Sequence, residues 1–371
     1  MSSYIDCDSY FLVFADCIPT RGAKNSTICD LTRTTLEVFP SSFYPFFEIF
    51  KQSTVKEIYN DLELESHIEF TKFLDFLLEK EYGMFVDDLE LFPELEKRWE
   101  SPELINNAIV DVRLRKHDFG GIFDQLNSLG CIYVQLRCFE SLYTIKELSD
   151  VIKLAENKSI QSIELIIKYH ASFTDQDYVD LYNDHVLISS LFVHSAPENK
   201  VLIADFGYKG EDQILKQEIH REIHFYTTPI TGASHCGIID AKYFSIGDVQ
   251  SFMHNISYNS CLNKKISIDE EGLIKNCPSM IHDFGSIDDI VLRDVVDAES
   301  FRRVWGINKD LINVCQSCEF RAVCTDCRAY IESPDDFLSK PLKCGYNPND
   351  GTWTDWTVGR QHAIAHYGID I

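Results

Sequence analysis

Seven cysteines crowd between residues 261 and 344, and their spacing restricts what the last third of this chain can fold around. Cys261 and Cys277 flank Gly272; then come Cys315-x2-Cys318-x5-Cys324-x2-Cys327, and Cys344 follows after sixteen more residues. Thiolates two residues apart close a tight knuckle on one metal, so Cys315 and Cys318 form a natural chelate, onto which Cys324 can close back. A four-cysteine zinc site usually joins two knuckles through about 12 or more residues. The five residues here are short for that and favour a split, with Cys327 turned toward Cys261 and Cys277. Ile266-Ser-Ile268 and Leu273-Ile274 read as a hairpin around the turn Asp269-Glu-Glu-Gly272, which brings Cys261 and Cys277 together. Two [4Fe-4S] clusters suit this set better than one zinc, because four cysteines per cluster is the common ligation and neighbouring cysteines serve different clusters. The competing readings are a zinc-stapled tail and a segment of plain thiols.

Composition narrows the setting. A chain of 371 residues is long for one core and suggests two to three domains. The formal charge of -25 disfavours nucleic acid, whose phosphates would be repelled, and leaves a basic peptide or an uncharged partner. No apolar run approaches the roughly 20 residues that span a bilayer, so no membrane partner is expected. The segment Met1 to Asp8 lacks a basic region followed by an apolar stretch, and the expectation is a cytoplasmic protein. In that reducing compartment the thirteen cysteines are expected as thiols or metal ligands rather than disulfides.

Residues 1–100 read as a small separate module. Tyr10-Phe-Leu-Val-Phe14 and Leu36-Glu-Val-Phe39 look like the strands of a hairpin, separated by a turn-rich stretch from Thr20 to Thr27. Thr54-Val-Lys-Glu57 and Ser66-His-Ile-Glu69 have the hydroxyl-then-carboxylate spacing of helix starts. In the second helix Phe70, Leu74, Leu77 and Leu78 share a face, and Gly83 is placed to end it. A hairpin with short helices outlines a winged helix, a module that can hold a peptide by taking it as an extra strand; the alternative is a plain structural cap.

From residue 101 to 235 strand-length apolar runs alternate with helices. The strands are expected at Ala108–Val112, Cys131–Leu136, Ser162–Ile167, Leu187–Val193 and Val201–Ala204, and the helices at Gly120–Ser128, Thr144–Ala155 and Thr174–Asn183. Such alternation is the signature of repeated parallel strand–helix units, and four or five of them suggest a partial barrel. Residues 236–371 form the cysteine-rich remainder.

The glycine-centred cysteine pair, the run of four and the lone final cysteine resemble the SPASM domain, the C-terminal extension of radical SAM enzymes that mature ribosomally synthesised peptides. The resemblance covers about residues 236 to 350. Cys315-Gln-Ser-Cys-Glu-Phe-Arg321, Cys324-Thr-Asp-Cys-Arg-Ala-Tyr330 and Lys343-Cys-Gly-Tyr-Asn-Pro348 resemble the peptide maturase of grasp-with-spasm systems, although the family's three-residue gap before the fourth cysteine is two here. The resemblance implies an α/β fold, two [4Fe-4S] clusters, a precursor peptide as substrate and an ATP-grasp ligase as partner. It also implies that Cys315, Cys318, Cys324 and Cys344 hold one cluster, and that Cys261, Cys277 and Cys327 serve the other. A fourth ligand for the latter is open between Cys236, His254 or Asn255, and a substrate thiol.

One part of the family pattern is missing. Radical SAM cores place Cys-x3-Cys-x2-Cys after the first barrel strand, whereas here Val112 is followed by Arg113-Leu-Arg-Lys-His-Asp-Phe-Gly120. The family's Gly-Gly-Glu stretch corresponds to Arg137-Cys-Phe-Glu140, where bulky side chains replace glycines. A degenerate barrel is therefore expected, with S-adenosylmethionine disfavoured as a cofactor. Two roles stay open: a peptide-modifying enzyme, or a non-catalytic adaptor presenting the precursor to the ligase.

Overall fold

The computed structural model describes residues 8–114, 117–205, 220–244 and 246–369. The chain passes between two compact units: Met1–Glu100, Ile238–Ser260 and Ile307–Ile371 form the first, Ser101–Gly237 and Cys261–Gly306 the second. Residues 236–371 are thus shared between them.

The first unit opens with β1 (Tyr10–Val13), β2 (Cys17–Arg21), β3 (Asn25–Asp30), β4 (Thr35–Pro40), α1 (Phe46–Ile49), α2 (Val55–Asp61), α3 (His67–Glu79) and β5 (Gly83–Val86). Both strands expected from sequence form, but they do not pair with each other. β1 runs antiparallel to β5, with Tyr10 opposite Val86, and β4 pairs with β3. The stretch expected as a turn from Thr20 to Thr27 instead carries the end of β2 and the start of β3, and only Gly22 to Lys24 turns. Its hydroxyls misled the reading because they are satisfied internally: Ser26 shares a hydrogen bond with Ser41 at 2.8 Å, and Thr27 donates to the Glu319 carbonyl at 2.8 Å.

Thr54 caps α2 as expected, its hydroxyl accepting from Glu57 N while Glu57 accepts from Thr54 N. Ser66 does not cap α3: its own backbone is already helical, and its side chain makes no capping bond. Gly83 does not stop that helix either, which ends at Glu79; it opens β5, where a Cβ would stand 2.3 Å from the Leu12 carbonyl oxygen. Phe70, Phe73, Leu74 and Leu77 of α3 pack with Phe11, Phe47 and Phe50 into an aromatic core.

The second unit is a mixed α/β layer. It contains β6 (Asn107–Val112), α4 (Phe119–Ser128), β7 (Tyr133–Cys138), α5 (Ile145–Lys153), β8 (Ser162–Lys168), α6 (Asp175–Asp184), β9 (Ile188–His194), β10 (Lys200–Asp205) and β11 (His220–Phe225). The chain returns to the first unit for α7 (Val249–Ser257), then gives β12 (Lys265–Ile268), β13 (Ile274–Lys275), α8 (Leu292–Asp297) and α9 (Glu299–Arg302) to the second. β14 (Tyr346–Asn347), β15 (Thr352–Trp353) and α10 (Gln361–Tyr367) close the first.

The main sheet has eight strands in the order β10-β11-β9-β8-β7-β6-β12-β13, parallel except at its two ends. Every expected strand of this region is present; the second is shifted to Tyr133–Cys138, and Cys131 packs just ahead of it. The alternating burial of β8, with Ile163, Leu165 and Ile167 inward, shows why a period of two was readable. Thr144 and Thr174 cap α5 and α6 with reciprocal carboxylate bonds. The hairpin expected around Gly272 also forms, and it extends this sheet, because β12 pairs in parallel with β6 from Lys265 opposite Asn107.

Candidate functional site

Four of the seven clustered cysteines line one space within the first unit. Cys315 opens a single tight turn, in which Cys318 N donates to the Cys315 carbonyl at 2.9 Å. The turn is entered through Val314 at φ 68, a left-handed conformation that a β-branched residue seldom adopts and that the surrounding structure must hold. Cys344 is placed by a parallel bridge to Ile239, whose N donates to the Lys343 carbonyl at 3.0 Å. Ser260 fixes the remaining segment by accepting from Asp326 N at 2.8 Å.

Cys315, Cys318, Cys324 and Cys344 line one small, partly open cavity of about 20 Å³. Phe244, Phe320, Tyr346 and Trp353 wall it on one side, with Phe320 and Tyr346 ring centres 5.2 Å apart. Burial pushes the Cys324 thiol up to about 12 and raises Cys315 and Cys318 as well, so these sulfurs stay protonated in this apolar setting unless a cation compensates.

One cation is at hand. Lys309, 4% exposed, lines the same cavity, and its ammonium lies 3.5 Å from Asp326. Burial works against that charge, while Cys324 and Cys315, to the extent that they ionise, and the Asp326 carboxylate hold the ammonium above its ordinary range. Asp326 is gripped by Arg328 through two bonds of 2.7 and 2.9 Å and by Asn259 at 2.7 Å. Burial opposes the Asp326 carboxylate, while Lys309 and Arg328 bring it below the ordinary range.

In the second unit Cys261 precedes β12 and Cys277 follows β13, at the two feet of the hairpin. The Lys265 ammonium donates to the Cys261 sulfur at 3.4 Å. Burial raises Cys277 to about 11, with the charge of Cys261 adding to it. Cys236 is exposed, and its loop is tied to the Cys277 loop where the Ser279 hydroxyl donates to the Ala233 carbonyl at 3.0 Å. Cys327 belongs to the first unit, close to Tyr367. Asn255 donates to the Ala322 carbonyl at 3.3 Å, and His254 packs 5.9 Å from the Tyr258 ring. Among the described residues, no group of three or more histidine, cysteine, aspartate or glutamate side chains is placed so as to hold a metal ion.

The carboxyl ends of β6, β7 and β8 open on a second cavity of about 380 Å³, lined by Arg113, Leu114, Glu140, Ser141, Leu142 and Lys168. Arg113, directly after β6, donates to Glu270 at 2.7 Å and to the Thr231 carbonyl. Lys168 reaches Glu140 at 2.5 Å. Beneath it Arg137 and Asp111 form a buried two-bond ion pair of 2.6 and 2.7 Å.

No protein-family model matches the chain, and no curated protein matches it. The site therefore rests on its own residues. Lys309, Asp326 and Arg328 went unnoticed in the sequence, although an isolated Lys-Asp and two charges inside Cys324-Thr-Asp-Cys-Arg328 were visible; only folding reveals that they are buried together. No helix among the described residues is long and apolar enough to cross a membrane.

Proposed function

We propose that this chain takes part in the maturation of a ribosomally synthesised peptide, together with an ATP-grasp ligase, through a SPASM-type segment that binds two [4Fe-4S] clusters. The observation that carries the reading is that Cys315, Cys318, Cys324 and Cys344 line one small cavity, with sequence separations of up to 29 residues between them. Four thiols lining one space suit iron–sulfur or zinc rather than a hard cation. The present space accommodates about one water, less than a cluster fills. Cys261 and Cys277, with Cys236 as a further candidate, are the second-unit residues proposed for the other cluster, whereas Cys327, expected with them, belongs to the first unit. Bound there, iron–sulfur clusters supply electron transfer or a thiol anchor.

The finer architecture belongs to the same proposal: a winged-helix-like module at residues 1–100, a degenerate radical SAM-like partial barrel, and the cysteine-rich segment. A groove of about 550 Å³ in the first unit supports peptide capture. It is lined by Phe11 to Phe14, Ile18, Phe92 and Leu95, and among the described residues β1 pairs only with β5. An extended peptide added to that edge gains backbone hydrogen bonds and apolar side-chain pockets.

A second reading, a non-catalytic adaptor, is favoured by what stands after β6. There Arg113 bonds to Glu270 and the Thr231 carbonyl, and the sequence from Arg113 to Gly120 carries no cysteine where the resemblance calls for three. The test is to incubate anaerobically reconstituted protein with precursor, ligase, reductant and S-adenosylmethionine. Production of 5'-deoxyadenosine refutes the adaptor. Ligase product that depends on this chain, without 5'-deoxyadenosine, supports it. Product formed equally well without the chain refutes both.

A further inference from the structure

We propose that a cavity next to the cysteine-lined space binds the side chain of an arginine presented by a peptide. This goes beyond the maturation reading and needs no cluster; it adds a chemical requirement on the peptide. The cavity holds about 340 Å³, and its walls include Trp353, Trp356, Asp240, Asp355, Ile238 and Gly345, all in the first unit. Such a volume is in the range of small-ligand sites, which combine apolar walls with a few placed polar groups.

The backbone builds it around one strand. Ile239 bridges in parallel to Cys344, and the Thr354 N and hydroxyl donate to the Gly345 carbonyl at 3.0 and 3.1 Å. A Cβ at position 345 would stand 1.8 Å from the Thr354 carbonyl oxygen, so only glycine permits this approach. Ile238 to Ala241 and Trp353 to Trp356 are thereby carried to one place. Trp353 is held by Tyr346, with ring centres 4.8 Å apart, and by Phe244 at 6.0 Å, yet stays 39% exposed.

Charge decides what enters. Asp355 accepts from the Thr357 N at 2.9 Å and its hydroxyl at 2.8 Å, and these bonds hold its carboxyl below the ordinary range. Both bonds fall on one oxygen, and among the described residues no ion pair reaches this carboxylate. Asp240 meets Lys242 at 3.7 Å with both side chains exposed, a pair that solvent screens and a ligand replaces at little cost. Two carboxylates beside two indoles favour a cation. Trp356 shows the same preference inside the protein, where the buried Lys343 ammonium stands 5.9 Å from its ring centre. Arginine suits the site better than lysine, because a planar guanidinium stacks on an indole while its N–H groups still reach carboxylates in its own plane. The formal charge of -25 draws such a residue from solution.

The experiment titrates full-length protein, carrying ¹⁵N in its tryptophans, with an end-blocked glycine-arginine-glycine peptide and reads the indole N–H signals. Citrulline in place of arginine keeps the shape and removes the charge. The expected result is movement of the Trp353 and Trp356 signals with Trp99 and Trp305 unmoved. The arginine peptide is expected to bind about tenfold tighter than its citrulline counterpart and about threefold tighter than a lysine peptide. Asp240→Asn/Asp355→Asn keeps the oxygens that accept from Lys242 N and Thr357, so its urea midpoint stays at wild type while arginine binding weakens by about tenfold. Equal binding of the arginine and citrulline peptides overturns the inference, as do signals that spare both Trp353 and Trp356. Undiminished binding in the folded double variant overturns it too, and a lysine peptide that binds as tightly refutes the choice of arginine. None of these outcomes touches the maturation reading, which the 5'-deoxyadenosine and ligase assay decides.

Discussion

Asp326→Asn removes the carboxylate shared by two buried cations, and its cost depends on what the cysteines beside it carry. The carboxylate accepts three hydrogen bonds, from Arg328 at 2.7 and 2.9 Å and from Asn259 at 2.7 Å, and faces Lys309 at 3.5 Å. At an effective dielectric of about 20, unit charges at the 3.5 Å separation of Lys309 and Asp326 attract by roughly 5 kcal/mol before desolvation is counted. Breaking a buried pair by removing one partner costs about 3–5 kcal/mol, because the other charge stays buried without compensation. In metal-free protein burial favours the protonated Cys315 and Cys324 thiols, which then offer no replacement charge, so the full loss is expected. In iron-loaded protein the thiolates stand in for part of the lost carboxylate, and the loss falls by more than about 1 kcal/mol. Anaerobic urea unfolding of both forms, followed by tryptophan fluorescence, measures the difference. Equal losses in the two forms would refute thiolate charge at this site, and a metal-free loss below about 1 kcal/mol would refute the shared-anion geometry.

Other consequences are independent of metal. Arg137→Met strands Asp111 in the core of the main sheet and is expected to cost about 3–5 kcal/mol in urea unfolding, most of it recovered in Arg137→Met/Asp111→Leu. Thr54→Ala removes the α2 cap and is expected to cost about 1 kcal/mol, whereas Ser66→Ala, which makes no capping bond, is expected to stay within about 0.5 kcal/mol. Cys29, Cys131 and Cys138 are raised by burial from 9.0 to about 12, so the native state holds these protons longer than the unfolded chain. Their contribution is complete below pH 9 and is lost as pH climbs toward 12, which pH-dependent urea midpoints check; flat stability across that window contradicts it.

The main sheet was legible because parallel buried strands and amphipathic helices leave strong local periodicity, as in Ser162–Lys168 and the Thr144 and Thr174 caps. What sequence did not disclose was pairing across long separations. β1 finds β5 rather than the neighbouring strand, and β2 and β3 hide in a hydroxyl-rich stretch because distant groups satisfy Thr27 and Ser26. The Thr27 bond to Glu319 spans 292 residues, beyond any local pattern. At the candidate site the cysteine spacing singled out the sulfurs, and the hairpin at Gly272 came from turn chemistry. The Lys309, Asp326 and Arg328 cluster was hidden, since charged residues ordinarily read as solvated surface.

The central claim is that the C-terminal sulfurs hold inorganic clusters, and metal analysis of anaerobically purified protein tests it most directly. Two [4Fe-4S] clusters predict about eight irons with matching sulfide per chain, falling to about four in Cys315→Ser/Cys344→Ser. Zinc in place of iron, or neither metal above trace, would contradict it.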